Sequence, residues 1–160
     1  MIYAPFNHTK QMLLLVLIGQ RLFCIPLIGK FLGKLVEYVI RVVFGSDISC
    51  CAKIPRDVMF IHGHDIVIGA AVKIGARCKI FNGVTLGNKD TEDDATAQPI
   101  VGDDCVISTG AKILGRISIG NNSIVGANAV VLVDVPANSI AVGVPARVIP
   151  RDKSARKESL

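Results

Sequence analysis

The chain has 160 residues, 51% of them hydrophobic and 5% aromatic, with 18 Lys and Arg against 13 Asp and Glu for a formal net charge of +5. That length suits one domain with short appendages. So few aromatics leave no stacking platform, so the basic balance does not argue for nucleic acid. The charge is uneven: residues 1–46 carry five bases against the lone Glu37, residues 147–160 carry five against two acids, and the stretch between carries eight against ten. The cysteines at 24, 50, 51, 78 and 105 follow no metal or disulfide spacing. They read as buried or free thiols in a reducing, cytoplasmic setting.

In chain order, residues 12–44 come first and are very apolar, but Gln20, Arg21, Lys30 and Lys34 interrupt them. No unbroken apolar run reaches the roughly 18–20 residues of a spanning helix. No small-residue cleavage site marks a signal peptide. Pro26 with Gly19, Gly29 and Gly33 predicts two or three short helices. Two compatible readings stand for this segment. It caps the open end of the domain and packs across subunits, or it rests as a peripheral anchor on the inner face of the cell membrane.

From Val101 onward a six-residue period is nearly unbroken: Val101, Ile107, Ile113, Ile119, Val125 and Val131. The fourth residue after each is Cys105, Ala111, Ile117, Ser123, Ala129 and Val135, mostly small or β-branched. Earlier phases run Ile48, Ile54, Phe60 and Ile68, Ile74, Ile80, Leu86. A period of six fits neither a heptad nor an alternating strand; it predicts an all-β solenoid, a parallel β-helix. Each hexapeptide makes a short strand and a turn, and three close a triangular coil. The aliphatic points inward, where burial is worth about 25 cal/mol per Å², and the small residue fits the tight corner. Roughly four coils are expected, spanning residues 47–149, with a basic tail over 150–160.

The beat fails twice. Phe60 and Ile68 are eight apart, and the extra residues lie in a stretch holding His62, Gly63, His64 and Asp65. After Leu86 the next aliphatic in phase is Val101, which extrudes a polar loop over 88–99. Residues inserted into a solenoid leave its wall as loops, where function concentrates.

The segments SDISCCAKIP, HGHDIVIG, FNGVTLGN, TGAKILG, IVGANAVV and AVGVPARVI, in this order over Ser46–Ile149, resemble the serine acetyltransferase branch of the hexapeptide acyltransferases. The resemblance covers about two-thirds of the chain. It implies a left-handed coil, acetyl-CoA as donor, and a homotrimer with sites between adjacent subunits. It also implies His62 as the base that takes the acceptor's proton and Asp47, fifteen residues upstream, as the carboxylate that orients it. A neutral imidazole is a competent base near pH 7, and a carboxylate fixes its tautomer. Without the resemblance, His62 reads as a polar turn residue and Asp47 as a cap on the first coil.

His64 contacts the acceptor, or replaces His62 if the alignment slips across the first break. A metal is not expected, since His8 is the sole further histidine and lies outside the repeat. For the donor, the resemblance implies Thr109 beside the thioester, Ala127 and Gly87 along the pantetheine groove, and Arg147 near the nucleotide phosphates with Arg151 or Lys153 as helpers. Repeat geometry alone also calls for small residues at Thr109 and Ala127. Asn82, Thr85 and Gln98 are candidates for the acceptor side, although Asn82 and Thr85 also read as turn and wall residues.

Two departures bear on the acceptor. The family's Arg-His pair, which helps hold an amino-acid carboxylate, aligns with Ala97-Gln98, and the same loop carries Asp90, Glu92, Asp93 and Asp94. A carboxylate wants a guanidinium, so these residues disfavour serine. The short apolar N-terminus looks instead like the colanic acid and exopolysaccharide O-acetyltransferases. The expectation is therefore acetyl transfer to a hydroxyl of a lipid-linked sugar in a bacterial surface-polysaccharide precursor. An atypical short serine O-acetyltransferase and a non-catalytic trimeric scaffold remain as alternatives.

Overall fold

Asn7 opens the first helix, its side-chain oxygen accepting the Lys10 N–H at 3.3 Å and so satisfying a donor that the first turn leaves free. In the computed structural model, which describes residues 7–90 and 94–151, α1 (His8–Phe23) is followed by α2 (Gly29–Phe44). α2 stops at Gly45, whose φ of 58° turns its N–H back onto the Arg41 carbonyl. Both helices bury one face. Met12, Val16, Ile40 and Phe44 merge with Ile48, Val58 and Phe60 into a single core, so the hairpin closes the N-terminal end of the solenoid. Glu37 keys it there: its Oε1 accepts the Cys50 N–H at 2.8 Å and the Ser49 hydroxyl at 3.2 Å, and its Oε2 meets Lys34 Nζ at 2.7 Å.

The hexapeptides then wind through five turns. The first holds β1 (Asp47–Ile48) and β2 (Met59–Ile61), with Lys53 bridging between them. The second holds β3 (Val67–Ile68), β4 (Lys73–Ile74) and β5 (Lys79–Phe81), and the third β6 (Thr85–Gly87), β7 (Ile100–Val101) and β8 (Val106–Ile107). The fourth holds β9 (Lys112–Leu114), β10 (Ser118–Ile119) and β11 (Ile124–Val125). The fifth holds β12 (Val130–Val131) and β13 (Ser139–Val142), and β14 (Arg147–Pro150) then turns back antiparallel on β13. Stacking gives three parallel sheets: β1-β3-β6-β9-β12, β4-β7-β10, and β2-β5-β8-β11-β13. The coil is the left-handed parallel β-helix that the resemblance implied, one turn longer than the repeat count suggests.

Register explains the beat. Ile68 stacks on Leu86, Leu86 on Ile113 and Ile113 on Val131, all buried. Each such side chain contributes about 1.5–3 kcal/mol when fully buried. The small inward positions hold as expected: Cys78, Cys105, Ala111, Ser123 and Ala129 are fully buried. Their polar atoms are satisfied locally, Cys78 Sγ donating to the Gly102 carbonyl at 3.0 Å and Ser123 Oγ to that of Pro136 at 2.8 Å. Several corners need left-handed backbone, supplied mainly by Asp65, Asp104, Asn122, Asn128 and Asn138, with φ of 54° to 59°, residues that tolerate that region best after glycine.

Candidate active site

One edge of the prism collects most of the candidate residues. β2, β5, β8 and β11 each end at the same corner before the chain turns onto the β1-β3-β6-β9-β12 face. The turns stack through backbone bonds: Gly83 N–H donates to the His64 carbonyl at 3.3 Å, Gly110 to Asn82 at 2.9 Å, and Asn128 to Thr109 at 2.9 Å. His62, His64, Asn82, Thr109 and Ala127 therefore form a column down one corner. Both histidines, Thr109 and Ala127 are exposed. Thr109 Oγ1 also donates to Asn82 Oδ1 at 3.2 Å, tying two rungs together.

The two-residue excess at the first break takes a defined shape. His62 adopts φ 54°, unusual for a side chain of its size. The His64 N–H closes onto the His62 carbonyl at 2.6 Å. The loop bulges out of the wall, with Gly63 buried beneath the Met12 side chain of α1. Thus the hairpin roofs the loop that presents both histidines.

Other candidates lie around this column. Thr85 stands on the adjoining face beside Val67 and Lys112, and Gly87 is at the far end of β6, its carbonyl bonded to the Gly115 N–H. The stretch Gly143–Ala146 hydrogen-bonds to Val130, the strand that follows Ala127. Arg147 comes next, exposed at the C-terminal end of the face. Arg151 is engaged otherwise: its Nη1 donates to the Asn122 carbonyl and Oδ1, both at 2.8 Å, which staples the chain end. Lys153 lies outside the described residues.

Two contacts differ from the sequence reading. Asp47 stands in the right rung, its N–H donating to Ile66, but its carboxylate is taken by Arg41 at 2.6 Å and makes no hydrogen bond to His62 or His64. Gln98 does not face the corner as a free amide. Its Oε1 accepts the Ala71 N–H at 2.8 Å and its Nε2 donates to Asn88 Oδ1 at 2.6 Å, so it clasps the 88–99 loop to the wall. Ala97 beside it is buried.

Sequence reasoning passed over two cations near the corner. Lys112 Nζ donates to the Gly83 carbonyl at 2.6 Å, and Arg41 reaches it through Asp47. Lys112 sits within the TGAKILG segment, and its outward alternation in the hexapeptide was the available signal. Arg41 gave none, because its position depends on how α2 docks.

The family pattern described as bacterial transferase hexapeptide (six repeats) matches residues 98–132. The serine acetyltransferase of Helicobacter pylori strain J99 is 38% identical over 123 residues, covering 77% of this chain and 71% of that protein. The chain belongs to the serine acetyltransferase family. The serine acetyltransferase of Bacillus subtilis is 41% identical over 129 residues, 80% of this chain and 59% of that one. A solved serine acetyltransferase in complex with cysteine superposes with a TM-score of 0.85 at 36% identity, covering 94% of this chain and 58% of its own, and a serine acetyltransferase complex with CoA superposes at 0.80. The chain thus spans just under three-fifths of the length of the Bacillus subtilis protein and of the solved cysteine complex.

These relatives overturn the expectation of a sugar acceptor and of kinship with colanic acid and exopolysaccharide enzymes. Two of the three arguments behind it weaken in the structure. A superposition over 94% of the chain takes in most of the helical hairpin, so these helices have counterparts in a solved serine acetyltransferase. Asp94 is already engaged: it accepts from the Thr96 N–H and hydroxyl and pairs with Arg116 at 3.1 Å, which together hold its carboxyl below the usual range. Glu92 and Asp93 lie outside the described residues. Among the described residues no helix is long and apolar enough to cross a membrane.

Proposed function

We propose that this chain is an acetyl-CoA-dependent serine O-acetyltransferase. The observation that carries the reading is the identity of 38% across 71% of a serine acetyltransferase, which runs through the segment bearing the exposed His62. In this reading a neutral His62 accepts the proton of the serine hydroxyl as its oxygen attacks the thioester carbonyl. The tetrahedral adduct collapses, the C–S bond breaks, and the thiolate of CoA leaves and takes the proton back from the imidazolium. General-base assistance of this kind is worth about 10²–10⁴-fold.

Residues 47–149 form the catalytic domain, as a homotrimer whose clefts lie between adjacent prisms. The pantetheine arm runs past Thr109, Ala127 and Gly87, and Arg147 meets the phosphates. His64, Asn82 and Thr85 shape the acceptor side. The charge for the serine carboxylate comes from Lys112, because Ala97 is buried and the Gln98 amide is committed to the loop clasp. Asp47 orients His62 once the acceptor draws it from Arg41.

The test is purified protein with acetyl-CoA, serine and a thiol reagent. Serine-dependent release of free thiol is expected, and the His62→Ala variant should lose about 10²–10⁴-fold of it. Acetyl-CoA binding without serine-dependent turnover would overturn the acceptor. No acetyl-CoA binding at all would leave a trimeric scaffold.

A further inference from the structure

We infer that the outer face of the α1–α2 hairpin docks on an anionic lipid bilayer. α2 buries Gly29, Gly33, Glu37, Ile40 and Phe44 toward the prism. On its reverse, Phe31, Leu35, Tyr38 and Val42 follow at helical spacing and are 73%, 50%, 63% and 65% exposed. α1 adds exposed Leu14 and Ile18, which share a hollow with Arg21 and Arg56. The connection between the helices is apolar as well. Leu27 stands there fully exposed with φ 70°, flanked by exposed Ile25 and Ile28. A leucine in the left-handed region with no burial gains nothing from its own chain.

Charge chooses the occupant. Within residues 7–46 the sole acid is Glu37, and it is buried against Ser49 and Cys50. The bases are Lys10, Arg21, Lys30, Lys34 and Arg41; Lys30, Lys34 and Arg41 are spaced so as to form one row along the flank of the apolar stripe. Arg21 and Lys30, on either side of the connection, make no ion pair among the described residues. Lys34 and Arg41 already pair with Glu37 and Asp47, so Arg21 and Lys30 are the charges a second copy of the same face would set against each other. An anionic headgroup layer answers both features: it neutralises the cations and takes the apolar tip into its acyl boundary. This docking does not depend on the acceptor proposed above.

Flotation of the whole protein with phosphatidylcholine vesicles, with and without phosphatidylglycerol, tests it. The protein should float with the anionic vesicles, at least tenfold less with the neutral ones, and less again in high salt. Arg21→Gln and Lys30→Gln should each weaken binding about fivefold, the factor that corresponds to ~1 kcal/mol per basic residue at such a surface. Leu27→Asp, in an exposed turn, should abolish flotation while leaving thermal unfolding and serine-dependent turnover unchanged. The inference is overturned if the wild type does not float with anionic vesicles, or if Leu27→Asp floats as well as wild type. It is also overturned if Phe31→Asp shrinks the particle in light scattering without changing flotation, since that assigns the face to a second copy.

Discussion

Gln98→Ala tests whether the long loop is clasped as the hydrogen bonds indicate. The substitution removes the acceptor of the Ala71 N–H and the donor to Asn88. An unsatisfied buried donor costs about 1–3 kcal/mol, and because Ala71 is half-buried and water reaches part of the gap, a loss of about 1–2 kcal/mol is expected. Gly69 supplies an independent route to the same loss, since a Cβ there would overlap the Gln98 amide. Gly69→Ala should therefore displace the amide and cost a similar amount by itself. With Gln98 already shortened, the three atoms nearest that methyl are gone, and it should cost little. The double variant should thus be no less stable than either single, a coupling of about 1–2 kcal/mol where independent sites couple by less than ~0.5. Urea midpoints at one fixed protein concentration read this. With m near 2 kcal/mol/M, each single should fall by roughly 0.5–1 M. Simple additivity would refute the clasp.

Other expectations follow from the same contacts. Ile113→Ala, at a fully buried rung between Leu86 and Val131, should lower stability by about 2–5 kcal/mol in urea unfolding. The Asp134 carboxyl is held below its usual range, mainly by the Ser118 N–H and then by the Ser118 hydroxyl. Its contribution is therefore present above the ordinary carboxylate pKa and is lost as pH falls through the depressed value. Asp134→Ala should be less stable than wild type at pH 7 and indistinguishable from it in strong acid. Burial pushes the Cys50 thiol up to about 12, and Cys78 and Cys105 are fully buried, whereas Cys24 and Cys51 are exposed. A disulfide reagent at pH 8 should label two cysteines rapidly in native protein and all five in urea. Finally, Asp47→Ala should lower serine-dependent turnover, since it removes the carboxylate proposed to orient His62; unchanged turnover would show that Asp47 never engages the base.

Much of the prism was legible because its core obeys one local rule. An aliphatic every six residues needs no tertiary information to be read as an inward wall, and Val101, Ile107, Ile113, Ile119, Val125 and Val131 are all buried. The loop that carries His62 and His64 out of the wall was legible for the converse reason, since a break in a strict period announces itself. What stayed hidden depends on packing between distant segments. The partner of Asp47 is decided by where α2 places Arg41. The task of Gln98 is decided by Ala71, twenty-seven residues away. The acceptor was misjudged because loop charge was counted residue by residue, whereas Arg116 and Thr96 already hold Asp94. β14 escaped as well: the six-residue beat ends at Val131, and nothing in it signals a strand that reverses direction.

That reversal has a consequence for the molecule's length. A parallel solenoid is in principle an unlimited polymer, because the last rung offers the next chain the same backbone edge that every rung offers its successor. Here one mouth is plugged by helices, and at the other β14 folds back and occupies the edge of β13 with antiparallel bonds from Ser139 to Val142. The Arg151 guanidinium pins that strand to Asn122. The stack is finite because both its ends speak a different structural language from its middle, and a chain shortened before Arg147 would be expected to add copies of itself end to end.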